Sequence, residues 1–206
     1  MGTPDYVDFA LNLGDLVELK GATFNTQGLD RMNDADGQHA VIWHGQVTEV
    51  VFHITTLMPN CDDVALNTAS KKRHIGNDYV NIVFNNSGTP FDFNTFPSQF
   101  NLVYIVITPS ARTSFIQSRT EGTAIESKDR FYAVQVMTRA GYPAISSATE
   151  QKIISGASLP GYVRNLALNE CIFSLMWAYK DEPGEYPSSW RSRLLQIRRF
   201  RERYSS

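Results

Sequence analysis

The chain has 206 residues, of which 42% are hydrophobic and 19% charged, and its formal net charge is −2. This composition suits one folded domain and excludes a disordered tail, and no apolar run approaches the roughly 20 residues that cross a bilayer. The two cysteines are too few for a disulfide framework, and no secretory signal opens the sequence, so we expect a cytoplasmic protein.

Charge is distributed unevenly along the chain. Residues 191–203 contain six arginines and one acid, whereas the preceding residues include 13 basic and 20 acidic side chains. Nucleic-acid binding needs a basic face, which a net-acidic body does not offer. We therefore expect no nucleic-acid partner.

The first part of the sequence predicts a short helix and three strands, separated by loops. Apolar residues recur at helical spacing after Pro4, namely Tyr6, Phe9, Ala10 and Leu13. Strands are predicted over residues 16–19, 39–43 and 48–56, with the last two forming a hairpin around Gly45. The polar stretches predict loops over residues 21–37 and 59–70.

The remainder predicts further strands and then helices. Strands are expected over residues 80–84, 102–108 and 131–137, and the near-continuous apolar run 102–108 is typical of a strand buried on both faces. One helix begins near Pro160, with an apolar stripe formed by Leu168, Cys171, Ile172, Leu175, Met176 and Tyr179. A last helix begins near Pro187, with a stripe formed by Trp190, Leu194, Ile197 and Tyr204. The pattern predicts a single α/β domain with a central mixed β-sheet covered by helices.

The sequence lacks the common catalytic signatures. The sequence contains none of four motifs: a P-loop, a dinucleotide-binding glycine motif, a zinc-protease motif or a nucleophile elbow. The four histidines lie on separate predicted elements: His39, His44, His53 and His74. We predict no metal site and no cofactor, and we interpret Cys61 and Cys171 as packing residues.

One segment, residues 71–88, has an unusual composition. Its sequence KKRHIGNDYVNIVFNNSG places Asn, Asp and Gly after a basic cluster, and these three residue types disfavour helix interiors, glycine by about 1 kcal/mol relative to alanine. On one helical turn Arg73 would share a face with Asn77, and His74 with Asp78. Gly76 would let a partner's backbone approach. The alternative interpretation is a capped helix end with a solvated basic face.

This segment, followed by FNLVYIVITP at residues 100–109, resembles the catalytic segment of the Rap-type GTPase-activating domains. The similarity includes LGDLVELK at residues 13–20 and LPGYVRNLALNE at residues 159–170, so it covers nearly the whole chain. The YPSSW sequence and arginine helix at residues 186–204 favour the branch that acts on the small GTPase Rheb. The alternatives are a domain that acts on Rap or Ral, or a GTPase-binding module without catalytic effect.

The resemblance implies the Rap-GAP catalytic domain fold over residues 1–206, including an arginine-rich helix at 187–204. In that family an asparagine, the asparagine thumb, positions the attacking water in the GTPase, and the motif places it at Asn77. Such a domain supplies a catalytic residue in trans and hydrolyses no GTP of its own. The Mg²⁺ and GTP belong to the partner GTPase.

Further roles follow from position around Asn77. The residues expected to support the thumb helix are His74, Gly76 and Asp78, with His74 acting as a hydrogen-bonded anchor. The residues expected to bind the GTPase are Lys71, Lys72 and Arg73, and an arginine finger from Arg73 is the alternative to the thumb. Asn85 is expected either to brace the motif or to form an ordinary turn.

The C-terminal helix has two interpretations. Its apolar stripe is expected to pack on the body while the arginines stay in water; alternatively, the arginines bind calmodulin or an acidic surface on a membrane or a GTPase. The resemblance also implies down-regulation of TOR signalling, binding to hamartin through regions outside this chain, and peripheral placement on endomembranes through partners.

Overall fold

The strands form two sheets in a computed structural model, which describes residues 2–60, 64–96, 98–110, 127–181 and 189–204. The first sheet is antiparallel and contains β1 (Asp15–Glu18), β2 (His39–His44) and β3 (Glu49–Phe52) in that order. The predicted hairpin is confirmed, and Gly45 closes its turn by donating its backbone N–H to the Thr48 carbonyl at 2.7 Å. The single predicted sheet is therefore divided in two.

The second sheet is mixed. Its strands are β4 (Val80–Phe84), β5 (Val103–Pro109), β6 (Phe131–Thr138) and β7 (Lys152–Ser155), in that spatial order. Strands β4 and β5 are parallel, and the other neighbours are antiparallel. The first five residues of β5 are buried, so the prediction of a strand covered on both faces is confirmed. Strand β7 was not predicted.

Four α-helices are described: α1 (Pro4–Leu11), α2 (Val64–Ile75), α3 (Leu159–Ala178) and α4 (Ser189–Tyr204). The predicted loop over residues 59–70 is wrong from Val64 onward. Ala65, Leu66 and Ala69 are strong helix formers, and they outweigh the polar residues between them.

Helix α3 covers the core with a face other than the one predicted. Its buried residues are Leu159, Val163, Leu166, Ala167, Glu170 and Ser174, whereas Cys171, Ile172 and Met176 of the predicted stripe are exposed. The helix is apolar on more than one side, so the pattern alone does not decide which side meets the sheet. The interpretation of Cys171 as a packing residue is wrong, and Cys61 lies outside the described residues.

Helix α4 does not pack on the body in the way predicted. Leu194 and Ile197 are 51% and 55% exposed, and Phe200 and Tyr204 are exposed as well. The side chain of Trp190, like Pro187, lies outside the part of the chain that the structure describes. Among the described helices, none is long and apolar enough to cross a membrane.

Candidate functional site

The motif around Asn77 lies at the end of α2, in the turn that leads into β4. The Gly76 N–H donates to the Lys72 carbonyl at 2.8 Å, and the Asn77 N–H donates to the His74 carbonyl at 2.9 Å. A Cβ atom at Gly76 would stand 2.6 Å from the Lys72 oxygen, so only glycine fits this turn without a shift. The space beside Gly76, which we expected a partner's backbone to approach, is therefore bounded by the Lys72 carbonyl of the chain itself.

Asn77 is exposed and its carboxamide is held on one side. The Nδ2 group donates to the Arg73 carbonyl at 2.7 Å, which fixes the side chain against the last turn of α2. Among the described residues, none donates a hydrogen bond to its Oδ1 atom. An amide of this kind can accept a hydrogen bond from one group through Oδ1 and donate one to another group through Nδ2.

A buried carboxylate, Asp36, holds the end of α2 to the loop before β2. Arg73 Nη2 and His74 Nε2 both contact Asp36 Oδ1, at 2.6 and 2.8 Å, and the Asp30 N–H donates to Oδ2 at 2.8 Å. Burial alone would raise the pKa of Asp36, but these hydrogen bonds outweigh it and hold that pKa below its usual 3.8. The segment over residues 21–37, which was predicted as a surface loop, therefore also supports the end of α2.

A second His–Asp pair lies beside the first. His53 Nδ1 and Asp78 Oδ2 are 2.9 Å apart, and the rings of His53 and His74 have centroids 4.9 Å apart. Burial would lower the pKa of His53, but the hydrogen bond and charge of Asp78 outweigh it and raise that pKa above 6.5. His74 and Asp78, expected on one helical face, thus contact two different partners.

The segment 98–101 contacts the same turn from the other side. Ser98 Oγ donates to the Gly76 carbonyl, and Asn101 is 1% exposed. The orientation of the Asn101 carboxamide that satisfies both of its ends has Nδ2 donating to the Ile75 and Asp78 carbonyls at 3.0 and 2.9 Å, while Oδ1 accepts from the Tyr104 hydroxyl at 2.7 Å. Three carbonyls around Asn77 are thereby satisfied.

The other predicted site residues are placed differently. Lys71 Nζ donates to Asn60 Oδ1, and the side chain of Lys72 is exposed with no partner among the described residues. Asn85 lies at the far end of β4, where its side chain bonds to Ser87 and Thr89 and its N–H to the Ile107 carbonyl. Among the described residues, Asn85 makes no contact that braces the motif. It forms the turn that was the alternative expectation.

A groove of about 690 Å³ opens beside the motif, between the edge strands β3 and β4. Asn77 and Asp78 line it together with apolar side chains such as Phe52, Val80 and Phe84. Within the described ranges, no cluster of three or more His, Cys, Asp or Glu side chains is suited to a metal ion. The site offers amide and basic groups next to an apolar surface.

Comparison with known proteins places these features in a family. Residues 1–199 match the family model described as Rap/ran-GAP. The chain belongs to the Rap/ran-GAP family. The structure of the TSC2 GAP domain is 55% identical and superimposes with a TM-score of 0.75 over 86% of each chain. The predicted class, a single mixed α/β domain of the Rap-GAP fold, is therefore confirmed.

Two relatives show where the chain lies within the family. The tuberous sclerosis 2 protein homolog of Schizosaccharomyces pombe is 41% identical over 203 residues, which are 98% of this chain but 14% of that protein. The human Ral GTPase-activating protein subunit alpha-1 is 29% identical over 168 residues, or 82% of this chain and 7% of its own length. The predicted resemblance to the Rap-type GTPase-activating domains is confirmed, and within that family the chain resembles tuberin, the tuberous sclerosis 2 protein.

Sequence reasoning found the motif but missed the groups that hold it. Asp36, His53 and Asn101 lie 24 to 41 residues from Asn77 along the chain, and each contacts the motif only through the fold. No local pattern marks them. All three lie inside stretches that resemble the family, DGQHAVIWH at residues 36–44, FHITTLMP at 52–59 and FNLVYIVITP at 100–109, but the resemblance assigned none of them a role.

Proposed function

We propose that this Rap/ran-GAP domain stimulates GTP hydrolysis by a Rheb-like small GTPase, with Asn77 acting as the asparagine thumb. The observation that carries the proposal is the exposed carboxamide of Asn77, held by α2 with its Oδ1 atom free of described donors. The greater identity to the tuberous sclerosis 2 homolog than to the Ral GTPase-activating subunit favours a Rheb-like partner.

The chemistry of the thumb follows from the amide group. GTP hydrolysis by a small GTPase is slow because the attacking water is poorly placed and the phosphoryl charge poorly stabilised. The Oδ1 atom of Asn77 can accept a hydrogen bond from the water, while the second N–H of Nδ2, the one not bonded to the Arg73 carbonyl, can donate to a phosphoryl oxygen or the nucleophile. The amide carries no charge, so its action needs no titration.

The surroundings of Asn77 favour an amide thumb over an arginine finger. The guanidinium of Arg73 is held by the buried carboxylate of Asp36 at 2.6 Å, so reaching a nucleotide would break that ion pair. Lys72 is exposed on the same helix and is the basic residue best placed to attract acidic switch regions of a GTPase. The apolar groove beside Asn77 supplies a surface on which the GTPase would dock.

The test is single-turnover GTP hydrolysis by Rheb, Rap and Ral, each with and without the domain. Rheb should respond most strongly, with an acceleration on the order of 10³-fold or more. Asn77→Ala should lower the stimulated rate by at least about 10²-fold while leaving most GTPase binding intact. Asn86→Ala is the matched control, because Asn86 is also exposed and bonds to Thr3 away from the motif.

The outcomes separate the alternatives. Stimulation of Rap or Ral above Rheb would identify a different substrate for the same chemistry. Binding without acceleration by the unmodified chain would identify a non-catalytic module. Full stimulation by Asn77→Ala would eliminate the thumb assignment.

Wider roles are part of the same proposal. The chain spans only 14% of the yeast homolog, so hamartin binding, TOR down-regulation and peripheral placement on endomembranes are proposed for the protein in which this domain works. Exposed α4, with six arginines over residues 191–203, supports binding of calmodulin or another acidic surface. Arg198→Gln with Arg199→Gln should weaken that binding and leave GTP turnover unchanged.

A further inference from the structure

The turn that carries Asn77 is held from outside α2 by a short segment that lies just before β5. We define the 98–101 clamp as Ser98 and Asn101. Ser98 Oγ donates to the Gly76 carbonyl, and Asn101 Nδ2 donates to the Ile75 and Asp78 carbonyls at 3.0 and 2.9 Å. The clamp thus contacts the residue before Asn77, the residue after it, and the end of α2.

The clamp is built into the core rather than laid on the surface. Asn101 is 1% exposed, and its Oδ1 accepts from the hydroxyl of Tyr104, which is also 1% exposed and belongs to β5. Nδ2 also lies 3.2 Å from Ser98 Oγ, so the two residues of the clamp contact each other. A buried amide whose donor and acceptor groups are all hydrogen-bonded is fixed in one orientation. Its hydrogen bonds therefore also fix the position of the turn.

From this geometry we infer that Asn101, assisted by Ser98, is a positioning residue for Asn77. The inference rests on the proposed function of Asn77. Asn101 touches no reacting atom; it sets where the Asn77 backbone stands relative to β5, and hence where the carboxamide enters the nucleotide site. A displacement of about 1 Å at such a group can cost about 10²-fold in rate.

The first test is Asn101→Asp in the single-turnover assay. Two quantities are measured: the rate of GTP hydrolysis at a saturating concentration of the domain, and the domain concentration that gives half of that rate. At pH 7.5 a carboxylate would face the Ile75 and Asp78 carbonyls with no proton to donate. The saturating rate should fall by about 10²-fold, while the half-saturating concentration changes by less than about threefold. A general loosening of the fold would instead move both values together with the melting temperature.

Acid pH supplies a second readout. Burial and the facing carbonyls favour the protonated acid, which can donate one of the two lost bonds. Lowering the pH to 6 should therefore recover part of the rate of Asn101→Asp relative to the unmodified chain at the same pH. Asn12→Asp is the matched control: Asn12 is exposed and its amide donates to the Asp8 carbonyl at 2.7 Å, away from the motif, so its rate should stay within about threefold.

Ser98→Ala keeps the inference falsifiable if Asn101→Asp does not fold. It removes the Oγ bond to the Gly76 carbonyl together with the bonds that Oγ accepts from the Phe100 and Asn101 N–H groups at 3.0 and 3.4 Å, and it should lower the saturating rate by about five- to tenfold while the half-saturating concentration changes by less than about threefold. The inference is overturned if folded Asn101→Asp or Ser98→Ala stimulates hydrolysis as well as the unmodified chain. Failure of the unmodified chain to stimulate any GTPase would overturn the proposed function instead, so the two failures are distinguishable.

Discussion

Two basic regions of the chain, the end of α2 and the whole of α4, differ in how they are held. At the end of α2, Arg73 and His74 share a carboxylate of Asp36 that is almost entirely buried. Along α4, the described side chains from Arg191 to Tyr204 are all exposed. The two basic clusters therefore differ in whether the fold buries a carboxylate against them, and this difference is not visible in the clusters themselves.

The largest effect that tests this contrast is expected at Asp36. Asp36→Asn leaves Arg73 and His74 without their carboxylate and should lower the free energy of unfolding by about 3 kcal/mol. The contribution of the carboxylate is present at neutral pH and is lost as the pH falls below 3.8 through the lowered pKa, so the variant and unmodified chain should converge in acid. Urea denaturation at pH 7 and pH 3 measures both. Asp15→Asn, at an exposed position of β1, should change stability by less than about 0.5 kcal/mol.

Gly76→Ala should have the next largest effect. The added Cβ would meet the Lys72 oxygen at 2.6 Å, so the turn must shift, with a cost of about 1 to 3 kcal/mol and a lower stimulated rate. Gly161→Ala is the control, since a Cβ there meets only the Arg164 side chain at 3.8 Å and should be neutral or stabilising. Equal melting temperatures and equal GTP turnover for the two variants would contradict the close approach at Gly76.

His53→Gln should produce a smaller, pH-dependent change. Because the pKa of His53 is raised in the folded state, its pairing with Asp78 contributes stability below pH 6.5, and this contribution is lost as the pH rises through the raised value. The unmodified chain should therefore lose stability between pH 6 and pH 8.5 to a greater extent than His53→Gln. Urea midpoints at the two pH values give the slopes, and identical slopes would show that the pair is not linked to folding.

The smallest effect is expected in α4. Leu194→Ser and Ile197→Ser should each change the free energy of unfolding by less than about 0.5 kcal/mol, because both side chains are more than half exposed. Packing on the body would instead make each substitution cost about 2 kcal/mol or more. Thermal denaturation of the two variants separates these results. A large loss of stability would contradict the difference between exposed α4 and the buried contacts at the end of α2.

Features that depend on residues close together in the sequence could be predicted. The strand around Ile105 follows from an unbroken apolar run, and the position of Asn77 follows from a specific motif. The exposed face of α3 and the contacts of Asp36 and Asn101 did not follow, because each depends on residues brought together from distant parts of the chain. Helix α2 was missed over residues 64–70 for a different reason: its helix formers alternate with residues typical of loops.

The bond from Asn77 Nδ2 to the Arg73 carbonyl bears on the entropy of the encounter with a partner. A free surface asparagine samples several rotamers, and freezing one in a complex costs roughly 0.5 to 1.5 kcal/mol. Here that ordering has already taken place during folding, before any collision. Binding of a GTPase then begins from a side chain with little freedom left to lose, and the temperature dependence of the stimulated rate should reflect this small entropic term.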